Sequence, residues 1–374
     1  MKKMMRKIAS LFLALTMIVL LVSCGNSGKD KVTVGISVPG NSLDRFERDG
    51  QYLKNQFEAA GYKVDLKYAD DNEGQNKDIR TMISGGAGLL VVLAVDSDGL
   101  SETLAEAGNK KIPVVAYDRF INNSDAVTAF VSFDNIAVGT LQGNYIKDAL
   151  DLDKLNGPFN IEFVAGNPGD TNARYYFKGA VDVLKPYMDS GKLVVRSGQT
   201  SFEQAATDKW LTENAKSRFE TIISSFYADG TNLDAVLCSN DSTALGVTQA
   251  LASGKAGKSA PIITGQDGDI ANLRNIVDGK QAMTVYKNVS DEAKAAFEVS
   301  VAILNNKTLN ADLAKTLSVK AAFDTETYTN GKDGVPSYLL QPYSVTAGNL
   351  DILVSTGLYE WDANHTYLVE AKTK

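Results

Sequence analysis

The sequence predicts an α/β protein built as two lobes, each a parallel sheet with helices on both faces. Three observations predict it. Short apolar runs rich in β-formers alternate with amphipathic stretches from residue 32 onward, the rhythm of strand–helix–strand units. There are ten such runs, many for a single sheet. Six of the runs end in carboxylates, amides or bases, and open α/β sheets bind ligands just outside the carboxyl ends of their strands.

The runs lie at 32–38, 63–69, 89–95, 113–118, 129–134, 159–166, 192–198, 234–240, 261–267 and 281–287. Between them, 43–60 places Phe46, Tyr52, Leu53 and Phe57 near a 3.6-residue period, and Gly61 stops that helix. The stretch 212–227 puts Ala215, Phe219, Ile222, Ile223 and Phe226 on one face, and 290–304 does the same with Ala293, Ala296, Phe297, Val301 and Leu304. The first four runs and their helices make one unit. The run 129–134 reads as a crossing segment, and 159–267 repeats the rhythm as a second unit. No long linker intervenes, so the lobes are expected to be joined by several short crossovers, which is how a hinge is built. The expected lobes are 32–133 plus 288–336 and 134–287 plus 337–374. The tail after Asp351 is weakly patterned.

Of the 374 residues, 1–23 read as a signal peptide. A basic start (Lys2, Lys3, Arg6, Lys7) precedes an apolar stretch, 8–22, that is short for a spanning helix, which needs roughly 20 apolar residues. The stretch ends at Leu21-Val22-Ser23-Cys24-Gly25. This resembles the lipobox of bacterial lipoproteins, in which the cysteine is lipidated and becomes the mature N-terminus. Residues 24–31 then form a polar tether. Cys238 is the other of two cysteines. The folded part is therefore expected to hold no internal disulfide, and Cys238, within Ala235-Val236-Leu237-Cys238, reads as a small buried hydrophobe. Apolar and charged contents of 44% and 22% are globular values. A net charge of −7, more negative still without the basic leader, argues against nucleic acid or an anionic membrane surface as partner.

The strand ends carry the chemistry. Val114-Val115-Ala116-Tyr117 reads as a buried strand that stops at Asp118-Arg119. An acceptor-only carboxylate beside a five-donor guanidinium suits a ligand rich in hydroxyls. The first strand leads to Arg45 and Phe46, and the run 159–166 leads to Asp170-Thr171-Asn172. The remaining ends are Asn240-Asp241, Gln266-Asp267 and Lys287. Asp or Asn after a strand also serves as a helix N-cap, the plainer reading of Asp241 taken alone. The apolar faces of a hydroxyl-rich ring pack on aromatic rings. Phe46 and Trp210 are candidates for that, with core packing as the alternative.

The motifs Gly35-Ile36-Ser37-Val38-Pro39, Ala116-Tyr117-Asp118-Arg119, Ser132-Phe133-Asp134-Asn135, Leu184-Lys185-Pro186-Tyr187, Ser239-Asn240-Asp241, Gly265-Gln266-Asp267, Thr284-Val285-Tyr286-Lys287 and Val335-Pro336-Ser337 occur in this order. Together they resemble the periplasmic sugar-binding proteins of the type I fold, nearest to the xylose-binding and multiple-sugar-binding group, over roughly residues 32–350. The resemblance implies two Rossmann-like lobes joined by a three-stranded hinge, with an aldopyranose between them. By similarity Arg45, Asp118 and Arg119 come from the first lobe. Asn172, Asn240, Asp267 and Lys287 come from the second lobe or the hinge, and Trp210 falls at the family's stacking tryptophan. The crossings are expected near Phe133-Asp134, just after Lys287 and near Val335-Pro336. Two positions depart from the group: Phe46 stands where Trp is usual, and Thr171 replaces an Asn beside Asn172.

The expected function is a lipid-anchored extracytoplasmic receptor that delivers a monosaccharide such as xylose, glucose, galactose or arabinose to an ABC permease. A second reading keeps the binding and has the closed form report to a membrane sensor kinase. The chain is expected to act as a monomer, to need no cofactor, to bind no nucleic acid and to meet the membrane by its lipid anchor alone. A glycosidase would need two suitably separated carboxylates. Asp118, Asp241 and Asp267 are available, but each has a neighbouring base or amide that keeps it ionised. The single histidine, His365, lies in the tail, which leaves no Ser-His-Asp triad or multi-histidine metal site. The segment 151–157 fails as a calcium loop because Leu155 stands where an oxygen ligand is needed. The glycines at 85, 86 and 88 precede a strand rather than follow one, so they are no phosphate loop. No recognition helix or basic arm stands ahead of residue 32, which sets aside a sugar-responsive repressor of the same fold.

Overall fold

Strands that are apolar at consecutive positions must be covered on both faces, and the runs 34–38, 89–92 and 114–117 are buried throughout. The structure is a computed structural model that describes residues 32–40, 44–254, 256–257, 259–330 and 333–371. The leader 1–23, Cys24 and the tether 24–31 lie outside the described residues. The first lobe begins β1 (Thr33–Pro39), α1 (Asp44–Ala59), β2 (Lys63–Ala69), α2 (Asn72–Ser84), β3 (Ala87–Val92), α3 (Ser101–Asn109), β4 (Val114–Tyr117), β5 (Val127–Phe133). Alternate residues of each strand face opposite layers. Val34, Ile36, Leu89 and Val91 pack with Phe46, Leu53 and Phe57 of α1. Leu90, Val92 and Ala116 pack with Ile79 and Met82 of α2 and Leu104 of α3 on the other side.

The chain then leaves this sheet. The helix α4 (Asn135–Ala149) starts directly after β5, capped by Asp134, whose carboxylate accepts from the Ala137 N–H at 2.9 Å. It packs its Val138 and Ile146 with the second lobe. That lobe continues β6 (Phe159–Val164), α5 (Thr171–Asp189), β7 (Leu193–Val194), α6 (Phe202–Ala205), α7 (Thr212–Phe226), β8 (Ala235–Cys238), α8 (Asp241–Ser253), β9 (Ile262–Ile263), α9 (Ile270–Val277) and β10 (Met283–Tyr286). After β10 the helix α10 (Val289–Leu304) returns to the first lobe, where Ala293, Ala296 and Val299 join the α1 layer. It is followed by α11 (Ala311–Thr316), β11 (Ala321–Asp324), the short ladder β12 (Thr329–Asn330) and β13 (Asp333–Gly334), and β14 (Ser337–Leu340). The chain ends with β15 (Tyr343–Thr346), α12 (Asp351–Val354), β16 (Tyr359–Trp361) and β17 (Leu368–Glu370).

The first sheet has seven strands in the order β11-β14-β5-β4-β3-β1-β2, parallel except for β11. The second is β7-β6-β8-β9, all parallel. A parallel bridge between Gln266 and Val285 extends it to β10, against which β15 runs antiparallel. In each sheet the chain's first strand, β1 or β6, lies inside the sheet with the next strand on one side and the later ones on the other. That is the switch point at which doubly wound sheets form a crevice.

The expected α/β architecture with parallel sheets is present, and three local readings change. Of the segment 129–134, residues 129–133 lie within β5, a full strand of the first sheet paired on both sides, rather than a mere crossing, and Asp134 caps α4. Ser337–Leu340 pairs with β5 and β11, so the third crossing falls at Gln341-Pro342 and not near Val335-Pro336. The weakly patterned tail forms the β16–β17 hairpin, which packs Tyr359 and Leu368 under Leu273 and Ile276 of α9.

Candidate functional site

Asp118 follows β4 with a left-handed φ of 58°. A non-glycine residue takes that conformation at a cost and keeps it only where its surroundings insist. Here the Asp118 N–H donates to the Val131 carbonyl at 2.9 Å. The Asp118 carbonyl accepts from Ser132 Oγ at 2.7 Å and from Asn172 Nδ2 at 2.6 Å. Asp267, after β9, also has a positive φ, 106°, and its N–H donates to the Val285 carbonyl at 2.9 Å. Trp210 is a third, with φ 61°. The three strained residues face one cavity between the lobes, lined by Arg45, Phe46, Asp118, Arg119, Asp170, Tyr176, Trp210, Asn240, Gln266, Asp267 and Lys287.

Charge is dense there. Arg45, in the first turn of α1, donates from Nη2 to Asp118 Oδ2 at 2.8 Å and from Nη1 to Asp267 Oδ1 at 3.3 Å. Lys287 Nζ lies 3.3 Å from Asp267 Oδ1 and 3.8 Å from Asp118 Oδ2. Arg119 Nε pairs with Asp170 Oδ2 at 2.9 Å, and its Nη1 donates to the carbonyls of Ala94 and Val95 at 3.0 and 3.2 Å. Arg45, Asp118, Arg119, Asp170 and Lys287 are buried, and the Asp267 side chain keeps only 8% of its surface exposed. Burial alone would raise the Asp118 carboxyl, but Arg45, Lys287 and Arg119 outweigh it and hold the group below the usual carboxylate range. Burial works against the charge on Arg45 too, yet Asp118, Asp49, Asp267 and Glu292 keep it protonated well above its ordinary range. At Asp170 burial wins over Arg119, and the carboxyl is raised. Such a set offers fixed, charged donors and acceptors in water-poor surroundings, where each hydrogen bond is strong and an unmatched group is costly.

The aromatic walls are built by close approach. The Trp210 indole lies so near the backbone that a Cβ on Gly166 would stand 1.9 Å from Cη2. Indole Nε1 donates to Asp170 Oδ2 at 3.3 Å. Phe46 is buried, packs with the first lobe's core and presents its ring to Arg119, whose guanidinium carbon is 5.1 Å from the centroid. Tyr176 reaches the cavity because α4 and α5 touch backbone to backbone. A Cβ on Gly139 would meet the Tyr176 carbonyl oxygen at 1.9 Å, and one on Gly179 the Ile136 carbonyl oxygen at 2.2 Å. Its ring lies under Lys287 Nζ, 5.5 Å from the centroid.

Of the ten expected site residues, the cavity brings together Arg45, Phe46, Asp118, Arg119, Trp210, Asn240, Asp267 and Lys287. Asn172 and Asp241 stand behind it. The amide of Asn172 holds the Asp118 carbonyl and accepts from the Phe120 N–H at 3.4 Å. Asp241 opens α8 beneath the 265–269 turn, where Oδ2 accepts from the N–H groups of Gly268 and Asp269 and from Thr284 Oγ1, and Oδ1 accepts from Gln281 Nε2. With four donors already spent on it, Asp241 shapes the turn that carries Asp267. Thr171 bridges the lobes at the rim: its Oγ1 accepts from Asn122 Nδ2 at 2.7 Å, and its N–H donates to Ser97 Oγ at 3.2 Å. Asp170, Tyr176 and Gln266 line the cavity without having been singled out. Asp170 and Gln266 lie in strand-end motifs and were within reach of that rule. Tyr176 lies one helical turn after Asn172, a position that reads equally as core.

The comparisons agree on one family. Residues 34–308 match the family described as a periplasmic binding protein domain. The chain is 40% identical over 336 residues to a multiple sugar-binding periplasmic protein of Azospirillum brasilense, covering 88% of this chain and 90% of that one. It is 35% identical over 357 residues to the D-xylose-binding periplasmic protein of Escherichia coli, covering 95% and 98%. A solved structure of an ABC transporter solute binding protein from Clostridium phytofermentans, with bound β-D-glucose, has a TM-score of 0.81 at 46% identity, covering 89% of this chain and 99% of that one.

Proposed function

The chain belongs to the periplasmic binding protein family, and on that premise we propose that it is an extracytoplasmic receptor holding a monosaccharide between its lobes. It is a binding protein and not an enzyme, as its relatives are. The observation that carries the reading is the meeting of Arg45 from α1 and Asp118 and Arg119 from the end of β4 with Asn240, Asp267 and Lys287 from the second lobe's strand ends, beside Trp210. Sugar hydroxyls donate and accept; Asp accepts, Arg and Lys donate, and Asn does both. An aldopyranose such as glucose, xylose, galactose or arabinose offers these groups its several hydroxyls and ring oxygen, and an apolar face to Trp210. The ten residues of the proposal are Arg45, Phe46, Asp118, Arg119, Trp210, Asn240, Asp267 and Lys287 in contact, with Asn172 and Asp241 holding them from behind.

The lobes close about the three crossings, and the closed surface is what a membrane partner distinguishes. That partner is an ABC permease, to which a monomeric receptor tethered by a lipid on Cys24 delivers its sugar. Co-purification with a permease or with a sensor kinase separates transport from sensing. A thermal-shift screen against aldopentoses and aldohexoses tests the binding itself, because a ligand of the folded state raises the melting temperature by mass action. A rise with at least one monosaccharide is expected; none with any of them overturns the receptor reading.

A further inference from the structure

Glu292 is fully buried in the first turn of α10 and touches the Arg45 guanidinium without lining the cavity. The groups around it come from four places. Arg45 and Asp49 stand on α1, Tyr117 and Asp118 at the end of β4, and Asp267 and Lys287 at the ends of β9 and β10. Four carboxylates thus share two cations in a buried cluster, and charges removed from water must be paired. Three of the four are paired by hydrogen bonds or close ion pairs. Asp118 accepts from Arg45, and Asp267 accepts from Arg45 with Lys287 beside it. Asp49 accepts from Arg45 Nε at 3.2 Å and from the Tyr117 hydroxyl at 2.6 Å. Neither oxygen of Glu292 receives a hydrogen bond. Its nearest cation atom, Arg45 Nη2 at 3.6 Å, already donates to Asp118.

We propose that Glu292 is a positioning residue of the binding site, which carries a proton in the ligand-holding form and so leaves Arg45 directed at Asp118 and Asp267. Burial, then the nearby Asp118 carboxylate, pushes the Glu292 carboxyl well above its usual range, against the pull of Arg45. The α10 N-terminus favours the ionised form but supplies no donor to the carboxyl. Once ionised, Glu292 competes for the guanidinium that faces the sugar. Opening of the lobes hydrates the cluster and lowers the demand for that proton, so binding takes a proton up. By linkage, affinity is greatest below the open-form pKa and falls as pH rises through the closed-form pKa, by up to about tenfold per pH unit for one proton. Asp49 and Asp170, also raised by burial, lie close enough to share in the titration, which is why the variant below matters.

The inference rests on the receptor reading. The test is calorimetric titration of the full chain with D-glucose and D-xylose between pH 6 and 9, about two units either side of neutrality at most, in two buffers of unlike ionisation enthalpy. Wild type is expected to bind more weakly as pH rises and to take up protons on binding. E292Q, which fixes the neutral form, is expected to lose both the slope and the uptake. An E292Q protein that keeps the wild-type slope and uptake overturns the inference. So does a wild type that binds tightly with a flat profile and no uptake, a result that needs no variant to fold and leaves the receptor reading standing. Absence of binding to either sugar at every pH overturns this inference together with glucose or xylose as ligands, and is a plainly different outcome.

Discussion

Arg45 reaches across the molecule to Asp267: the guanidinium of a first-lobe helix donates to a second-lobe carboxylate at 3.3 Å. The same group donates to Asp118 at 2.8 Å, so one planar fork holds two carboxylates on opposite walls. Lysine cannot present that fork. Arg45→Lys is expected to weaken monosaccharide binding by at least about tenfold, the loss of one charged hydrogen bond, with little change in the circular dichroism spectrum. Unchanged affinity by calorimetry would remove Arg45 from the site.

Gly166 gives the Trp210 indole its place. A methyl group there would lie 1.9 Å from the ring, so Gly166→Ala must move the ring or the strand end. Overpacking of this kind costs about 1–3 kcal/mol. A lower melting temperature and weaker sugar binding are expected together, and a variant that binds as wild type would show that Trp210 is not a wall of the site.

Thr171 ties the rim. Its hydroxyl accepts from Asn122 across the lobes, and Thr171→Val removes that bond while keeping the shape. The loss of one neutral hydrogen bond predicts binding about two- to tenfold weaker. Stopped-flow should place the change in the dissociation rate, because the bond forms only after the lobes meet. An altered association rate with unaltered dissociation would contradict this role.

Asp118 carries a pH signature opposite to that of Glu292. Its carboxyl is held below the usual range in the folded chain, Arg45, Lys287 and Arg119 outweighing burial. A depressed pKa contributes stability that is complete above the unfolded value of about 3.9 and is lost as pH falls through the folded value. Asp118→Asn tolerates the left-handed backbone and removes the charge. The gap in melting temperature between wild type and Asp118→Asn is expected to be widest near pH 6 and to close towards pH 3. A constant gap would mean that Asp118 is not paired as described.

Much of this site was legible because strands announce their ends. A buried apolar run followed by Asp118-Arg119, Asn240 or Asp267 needs no tertiary information to be placed on a sheet's carboxyl edge. Asn172 and Asp241 obeyed the same rule yet face inward, because the rule gives an edge and not the direction of a side chain. Asp241 is drawn to the turn by four donors from residues 268–284, contacts that only the folded chain assembles. Tyr176, Asp49 and Glu292 were out of reach for a different reason. Each lies inside a helix, where an aromatic at helical spacing reads as core and an acid reads as part of a solvated face. Their burial against Arg45 and Lys287 comes from the packing of α1, α5 and α10 at the cleft. The third crossing was misplaced by a few residues because Val335-Pro336 looks like a strand boundary, and it is one. The strand it begins, β14, still belongs to the first sheet.

The central claim is that a monosaccharide lies against Trp210 between the lobes. The chain has two tryptophans, Trp210 in the cavity and Trp361 in the tail hairpin. A Trp361→Phe protein therefore reports from the site alone. Titrated with aldopentoses and aldohexoses, its emission is predicted to change saturably with at least one of them. No change with any, in a protein that melts as wild type does, would contradict the account.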